Sequence, residues 1–384
     1  LLQAACCTTS GSWPAEQARP IGAPMAPIDH TLEMNCGQAM REDYQRFLLL
    51  GGRRAPLTLY VHERGYRSDI INTDALGLRY SHLGGKRYSL AERGGSARVN
   101  LLVGGSTALG IGASSDQQTV ASCLALLTGE VWLSLAGCGL DATQELLLFL
   151  SHQHRLGRIG HVVILSGLNT LAHEGMCEML ADDQQANLRV DAPEHRIPDK
   201  QPQQATTHLS PWPHWLQRLF RRRQQPLPPP VLSSPEKRLI RAADRIGRTL
   251  LQWDRLLADS HTSLTFILQP LLPWCREKLP PGEQAMLNLL LQRSDHYDRL
   301  LDGVYDDHLH SIFFRRIKSQ AEPVPCYDMN GMLSSSPVFG QDLFIDRLHL
   351  NDLGNNALAK VITAKLGLAQ EKYASRKASP FKLV

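Results

Sequence analysis

The sequence contains no run of about 18 or more apolar residues, so no segment reads as a membrane-spanning helix. It contains no C-x-x-C pair. The eight cysteines, Cys6, Cys7, Cys36, Cys123, Cys138, Cys177, Cys275 and Cys326, are scattered, which argues against a zinc site. A chain of 384 residues needs no disulfide framework, so reduced thiols in a cytoplasm are the simpler expectation. Excess charge is small. A formal net charge of +4 is too little to imply nucleic acid as a partner. Internal repeats are absent. The chain begins at Leu1 rather than at methionine, so periplasmic or secreted placement stays open. The opening LLQAACC is a poor lipoprotein cleavage site, because Gln3 stands three residues before Cys6. Hydrophobic residues at 43% and charged residues at 20% are ordinary for a soluble globular protein, and the length allows one large domain or a large domain with a smaller accessory piece.

Residues 1–40, rich in Gly, Pro, Ala and Ser, read as loop or arm. Residues 41–95 carry short β-like runs, PLTLYVHE and LGLRYSHL, and with the arm form an N-terminal extension over 1–95. From residue 98 strands and helices alternate. RVNLLVGG, EVWLSLAG and HVVILSG read as buried strands. QQTVASCLALLTG reads as a helix capped by Asp116 and ended by Gly129, and DATQELLLFLSHQHRLG as one capped by Asp141 and closed by Gly157. That alternation implies right-handed crossovers, a parallel sheet and helices on both of its faces: a three-layer α/β/α sandwich over 96–384. A large insert, 177–234, interrupts it with Gln, Pro, Arg and His, a composition that resists helix and strand. A helix resumes at Pro235, LTFILQP is a fourth strand, a helical stretch covers about 283–318, and DLFIDRLHLND precedes a last helix, GNNALAKVITAKLG.

Four segments carry chemistry, and each falls just after a predicted strand, where an open parallel sheet binds ligands. Ser106 in Gly104-Gly105-Ser106-Thr107 is an exposed hydroxyl with room for a substrate. Gly139 can present its backbone N–H to an anion, with Gly137 as the neighbouring alternative. Asn169 offers two uncharged amide donors suited to a developing oxyanion. Asp346 and His349, three residues apart in a turn, allow a carboxylate to hold imidazole Nδ1–H and leave Nε2 for a serine proton. Taken alone, each has a plain structural reading as a turn, a helix-initiating glycine or an Asx cap.

Together, in this order, they resemble the SGNH/GDSL hydrolase family, named for a serine, a glycine, an asparagine and a histidine in four sequence blocks. The strings LLVGGSTALG, VVILSGLNT and FIDRLHLNDLGN look like its blocks, and the resemblance covers about 98–170 and 262–368. It implies the flavodoxin-like fold of that family, with Ser106 as nucleophile, His349 as base, Asp346 as its orienting acid, and Ser106, Gly139 and Asn169 as oxyanion donors. It implies an esterase, a lipase-like enzyme or an acyltransferase acting on a small-molecule, lipid or acylated carbohydrate ester, with neither metal nor organic cofactor. The catalytic residues of hydrolase and acyltransferase are the same, and a non-catalytic binding module of this fold is the alternative of another class. The chain departs from the family at Gly105, where Asp is usual before the serine, at Thr170, where Asp often follows the Asn, and at Ser134, where an Asn is usual.

An α/β-hydrolase fits less well. Ala108 stands where G-x-S-x-G needs its second glycine, and TALGIGASS reads as loop. A dinucleotide fold lacks its G-x-G-x-x-G register. Asp306, Asp307, His308 and His310 read as a polar helix face, and Trp132 and Trp253 as core. Within the insert, Trp212, Trp215, Leu219 and Phe220 form an apolar patch among arginines. The insert is expected to cover the site near Ser106 and shape its acyl or alcohol pocket, and the patch to contact a surface or partner.

Overall fold

Apolar runs that end in glycine or small residues pair here into one parallel sheet. A computed structural model of the protein describes residues 36–50, 53–55, 59–93, 98–181, 233–292, 301 and 303–368, all within the unit Thr31–Val384. Helix α1 (Gln38–Leu50) comes first. Two antiparallel pairs follow, β1 (Arg53–Ala55) with β2 (Leu59–Val61) and β3 (Ser81–Leu83) with β4 (Lys86–Tyr88). The main body then runs β5 (Arg98–Gly104), α2 (Ser106–Leu109), α3 (Val120–Thr128), β6 (Trp132–Ala136), α4 (Ala142–His152), β7 (Arg158–Ser166) and α5 (Leu168–Ala181). It continues with α6 (Pro235–Leu257), β8 (Ser263–Leu268), α7 (Leu272–Cys275), α8 (Pro281–Gln292), α9 (Asp307–Gln320), β9 (Cys326–Asp328), α10 (Met329–Met332) and α11 (Asp352–Lys365).

The sheet order is β6-β5-β7-β8-β9, with every pair parallel. Alternate side chains separate its two faces. Leu101, Val103, Val162, Ile164 and Phe266 pack with α4, α5, α6 and α9, whereas Leu102, Val163, Leu165 and Ile267 pack with α1, α3 and α11. The result is a three-layer α/β/α sandwich. Helix α6 shows why a helix forms there: Ser234 caps it, Pro235 occupies its first turn, and Leu239, Ala242, Ala243, Ile246, Leu250 and Trp253 form one buried stripe. Trp132 and Trp253 are both fully buried.

Several local expectations differ from the structure. A helix, α1, lies where loop and β-like runs are expected; Tyr44 and Phe47, one turn apart, sink its inner face into the core beside Tyr66 and Ile71. Asp116 does not cap α3. Thr119 does, its hydroxyl accepting from Ser122 N–H, because Asp116 is taken by Arg79 (Nε to Oδ1, 2.7 Å) and by Asn72 (Nδ2 to Oδ2, 2.9 Å). Among the described residues the stretch over 283–318 is helical in α8 and again in α9, which begins only at Asp307, with Asp306 capping it by accepting from His308 N–H. His310 of that helix stacks on Trp274 and lies 2.9 Å from Asp328, which gives the histidine a packing role. Strand β9 has only three residues, too few for a period to show. DLFIDRLHLND is a loop closed by a single Phe344–Leu350 bridge. Helix α5 extends to Ala181, into the start of the insert. The patch of Trp212, Trp215, Leu219 and Phe220, and the cover expected from it, lie outside the described residues. Among the described residues no helix is long and apolar enough to cross a membrane.

The Arg79–Asp116 pair joins the N-terminal segment to the sheet domain with both side chains buried. Asp116→Ala leaves the guanidinium charge in the core without its carboxylate. Urea unfolding should show a loss of about 3–5 kcal/mol. A loss under about 1 kcal/mol would mean that the carbonyls of Gly110 and Ile70, which also accept from Arg79, suffice to hold it.

Candidate active site

The sheet register brings the chemistry together. Gly104 pairs with Ala136 of β6 on one side and with Leu165 of β7 on the other. The three strands therefore end side by side, and Gly139, Ser106 and Asn169 lie just beyond their ends. The chain leaves β5 toward β6 but leaves β7 toward β8, so the topological switch point lies between the ends of β5 and β7, where open α/β sheets bind ligands.

Ser106 is the first residue of α2, a single helical turn, and is partly buried. The two glycines before it are required by close approach. A Cβ on Gly104 would stand 2.1 Å from Leu165 O, and one on Gly105 would stand 2.5 Å from Asn169 Nδ2. The Asn169 amide thus rests against the backbone that leads into Ser106. Asn169 is buried in the first turn of α5, and Nδ2 donates to Leu140 O at 3.0 Å. Gly139 sits in the turn after β6 with φ +69°, the left-handed conformation that glycine adopts without strain. Gly137 N–H, in the same turn, donates to Gly104 O at 3.1 Å.

His349 comes from the other end of the described chain. Its Nε2 lies 2.7 Å from Ser106 Oγ. Its Nδ1 lies 2.6 Å from Asp346 Oδ2. Asp346 Oδ1 accepts from the backbone N–H groups of Leu348 and His349, both at 2.7 Å. A carboxylate accepts at Oδ2, so the imidazole carries its proton on Nδ1 and offers Nε2 to the serine hydroxyl. Burial opposes the charge on Asp346, but the His349 imidazole and these N–H donors outweigh it and hold the carboxyl below the usual carboxylate range. Ser106, Asp346 and His349 form one continuous hydrogen-bonded chain. Such a chain can move the serine proton onto His349 as the oxygen attacks an electrophile.

Several residues that fix this geometry have no motif. Glu283, fully buried in α8, accepts from the N–H groups of Leu343 (2.7 Å) and Phe344 (3.0 Å), at the start of the loop that carries Asp346 and His349. Thr107 Oγ1 donates to Leu348 O at 3.3 Å and accepts from Gln269 Nε2 at 3.0 Å, which ties that loop to α2. Gln269 directly follows β8, so the strand-end rule that marks Ser106 and Asn169 also points to it. Glu283 has no local signal.

On the Asn169 side a buried polar cluster joins α4, α5 and α6. Asp141 caps α4 and meets His173 Nδ1 at 3.1 Å. Ala142 N–H donates to Thr170 Oγ1, Arg245 reaches Asp141 and Glu174, and Ser166 Oγ donates to Glu145 at 2.6 Å.

No family model and no curated protein matches the sequence. Among solved structures, the chain is similar to the lipase Lip_vut3 from a goat rumen metagenome, at 12% identity over 70% of this chain and 97% of that one, with TM-score 0.37. It is similar to LAE5, an alpha/beta hydrolase enzyme from the metagenome of Lake Arreo, Spain, at 12% identity over 72% and 97%, with TM-score 0.36. A third is a member of the lipolytic protein G-D-S-L family from Veillonella parvula DSM 2008, at 11% identity over 70% and 98%, with TM-score 0.35.

The cluster makes a pH-dependent prediction. Burial, with a smaller push from Asp141 and against the Ser166 hydrogen bond, raises the Glu145 carboxyl from 4.5 to about 8. Below 4.5 the folded and unfolded chains both hold that proton, and the group contributes no pH dependence. As pH rises from 4.5 to about 8, the unfolded chain ionises while the folded one does not, so stability falls; above that it levels off. Glu145→Gln keeps an acceptor for Ser166 and cannot ionise. Relative to wild type, it should gain stability across that window, by an amount of order a few kcal/mol, in urea titrations at successive pH values. An offset that does not change with pH would mean that Glu145 ionises alike in both states.

Proposed function

We propose that the protein is a serine esterase of the SGNH type, which cleaves a carboxylic ester or thioester through an acyl-serine intermediate. The observation that carries this reading is the unbroken hydrogen-bond chain from Asp346 through His349 to Ser106. His349 takes the Ser106 proton as Oγ attacks the carbonyl carbon, and then gives it to the departing alcohol or thiol. Water, activated by the same imidazole, attacks the acyl-serine, releases the acid and restores the serine. An alcohol in place of water would turn the same cycle into acyl transfer. No step calls for a metal or an organic cofactor. A non-catalytic binding module would have no use for a serine hydroxyl 2.7 Å from an imidazole whose far nitrogen is fixed by a carboxylate.

The oxyanion is assigned to the backbone N–H groups of Ser106 and Gly139 and to the Asn169 amide. Gly137 and Cys138, the two residues before Gly139, have their N–H groups engaged by Gly104 O and by His62 Nε2. That favours Gly139 over Gly137. Asn169 gives one amide hydrogen to Leu140, and the amide carries a second. The substrate is read at the level of its ester bond, borne by a small molecule, a lipid or an acylated carbohydrate.

A fluorophosphonate probe followed by peptide mass spectrometry tests the reading directly. Ser106 should be the modified residue, and Ser106→Ala should fold normally yet lose both labelling and ester turnover. Labelling of a different serine would sink the assignment.

Asn169→Ala should lower kcat about a hundredfold, around 3 kcal/mol, with a smaller change in KM, because the oxyanion exists only beyond the ground state. An unchanged kcat, with chemistry rate-limiting, would reduce Asn169 to a structural contact with Leu140.

A further inference from the structure

The turn after β6 is reached from the N-terminal segment by one buried side chain. His62 is 2% exposed, and its Nε2 accepts from Cys138 N–H at 3.0 Å. Phe47 of α1 stacks on the imidazole, with ring centroids 4.8 Å apart and planes 22° from parallel. The same Nε2 lies 3.6 Å from the point where a Gly137 Cβ would stand, so this nitrogen is close to Gly137 as well. A backbone N–H can only donate, so Nε2 presents its lone pair and the ring carries its proton on Nδ1.

The two N–H groups that precede Gly139 are thus held from opposite sides. Gly137 is tied to β5 through Gly104 O, and Cys138 is tied to His62. The next N–H in the chain is that of Gly139. Its direction depends on the peptide plane between Cys138 and Gly139, which can turn only as far as its neighbours allow. Removing the acceptor of Cys138 N–H would take from the turn its tie to His62.

We infer that His62 is a positioning residue for the reaction: acting through Cys138, it holds the second-block turn so that Gly139 N–H faces the substrate oxyanion. The inference rests on the oxyanion assignment of Gly139, and it gives the N-terminal segment a part in catalysis. His62 moves no proton and forms no bond to substrate.

Two variants of the full chain test it. His62→Leu keeps an apolar body against Phe47 and removes the acceptor; His62→Gln keeps an acceptor oxygen within reach of Cys138. With p-nitrophenyl acetate, His62→Leu should lower kcat about tenfold while KM stays within about twofold, and His62→Gln should recover most of kcat. Hydrogen exchange in the peptide covering 137–140 should speed up in His62→Leu and stay near wild type in His62→Gln. If His62→Leu fails to fold, His62→Asn, whose shorter amide falls short of Cys138, takes its place against His62→Gln. A folded acceptor-less variant with unchanged kcat overturns the proposal, as does a loss confined to KM or one equally large in His62→Gln. Those outcomes leave Ser106 labelling and wild-type turnover intact. A wild-type protein that shows neither overturns the esterase reading itself, and the role of His62 with it.

Discussion

A 2.7 Å hydrogen bond joins Ser106 to His349 across 243 positions of sequence, and the proposed reaction depends on it. A side-chain hydrogen bond contributes only about 0.5–1.5 kcal/mol, too little to draw two distant chain segments together. Its geometry is inherited from larger constraints on both sides. On one side the parallel register fixes Gly104 between β6 and β7, so Ser106 emerges where the ladder ends. On the other, Glu283 binds the N–H groups at 343 and 344, while the Asn351 N–H to Leu343 O bond closes the loop behind the histidine. Thr107 and Gln269 bridge the two sides directly.

The polar groups around the site are sequestered to different degrees, and their surroundings set the difference. Asp346 keeps its charge because an imidazole and two N–H groups face it. Glu145, buried with one serine hydroxyl and close to Asp141, holds its proton instead. The first arrangement keeps an anion beside an imidazole, which suits the proton transfer of the proposed reaction. The second places a neutral carboxyl in a helix interface, where an ion would be costly. Both are carboxyl groups in the same domain, and their surroundings separate them.

The sequence showed the sheet from residue 98 onward clearly, because buried parallel strands are short apolar runs and helices such as α6 repeat at helical spacing. Ser106, Asn169 and Gly139 stood out because they follow such runs, and Asp346 and His349 because three-residue spacing in a turn has chemical meaning. What was not legible depends on partners far away in the chain. Asp116 has the chemistry of a cap, but Arg79 and Asn72 claim it, and Thr119 caps α3 instead. The helix α1 shows its apolar face only once Tyr66 and Ile71 are folded against it. Strand β9 is defined by its pairing with β8, since three residues carry no period. His62 and Glu283 belong to this group, because neither has a motif and each is known only by the backbone groups it meets.

Two of the three departures from the pattern that the sequence resembles, Gly105 and Thr170, meet around Asn169. Where the resembled pattern has an Asp before its serine, this chain has Gly105, and the space a Cβ would need is filled by the Asn169 amide, 2.5 Å away. A side chain at 105 would push Asn169 off Leu140 O or shift the backbone leading into Ser106. Where an Asp often follows the asparagine, this chain has Thr170, whose hydroxyl accepts from Ala142 N–H at the start of α4. That bond draws the first turn of α5 toward the end of the turn that carries Gly139. The glycine at 105 therefore permits a close approach that the threonine at 170 helps to hold. Both substitutions act on the placement of Asn169, and neither removes an atom from the chain of Asp346, His349 and Ser106.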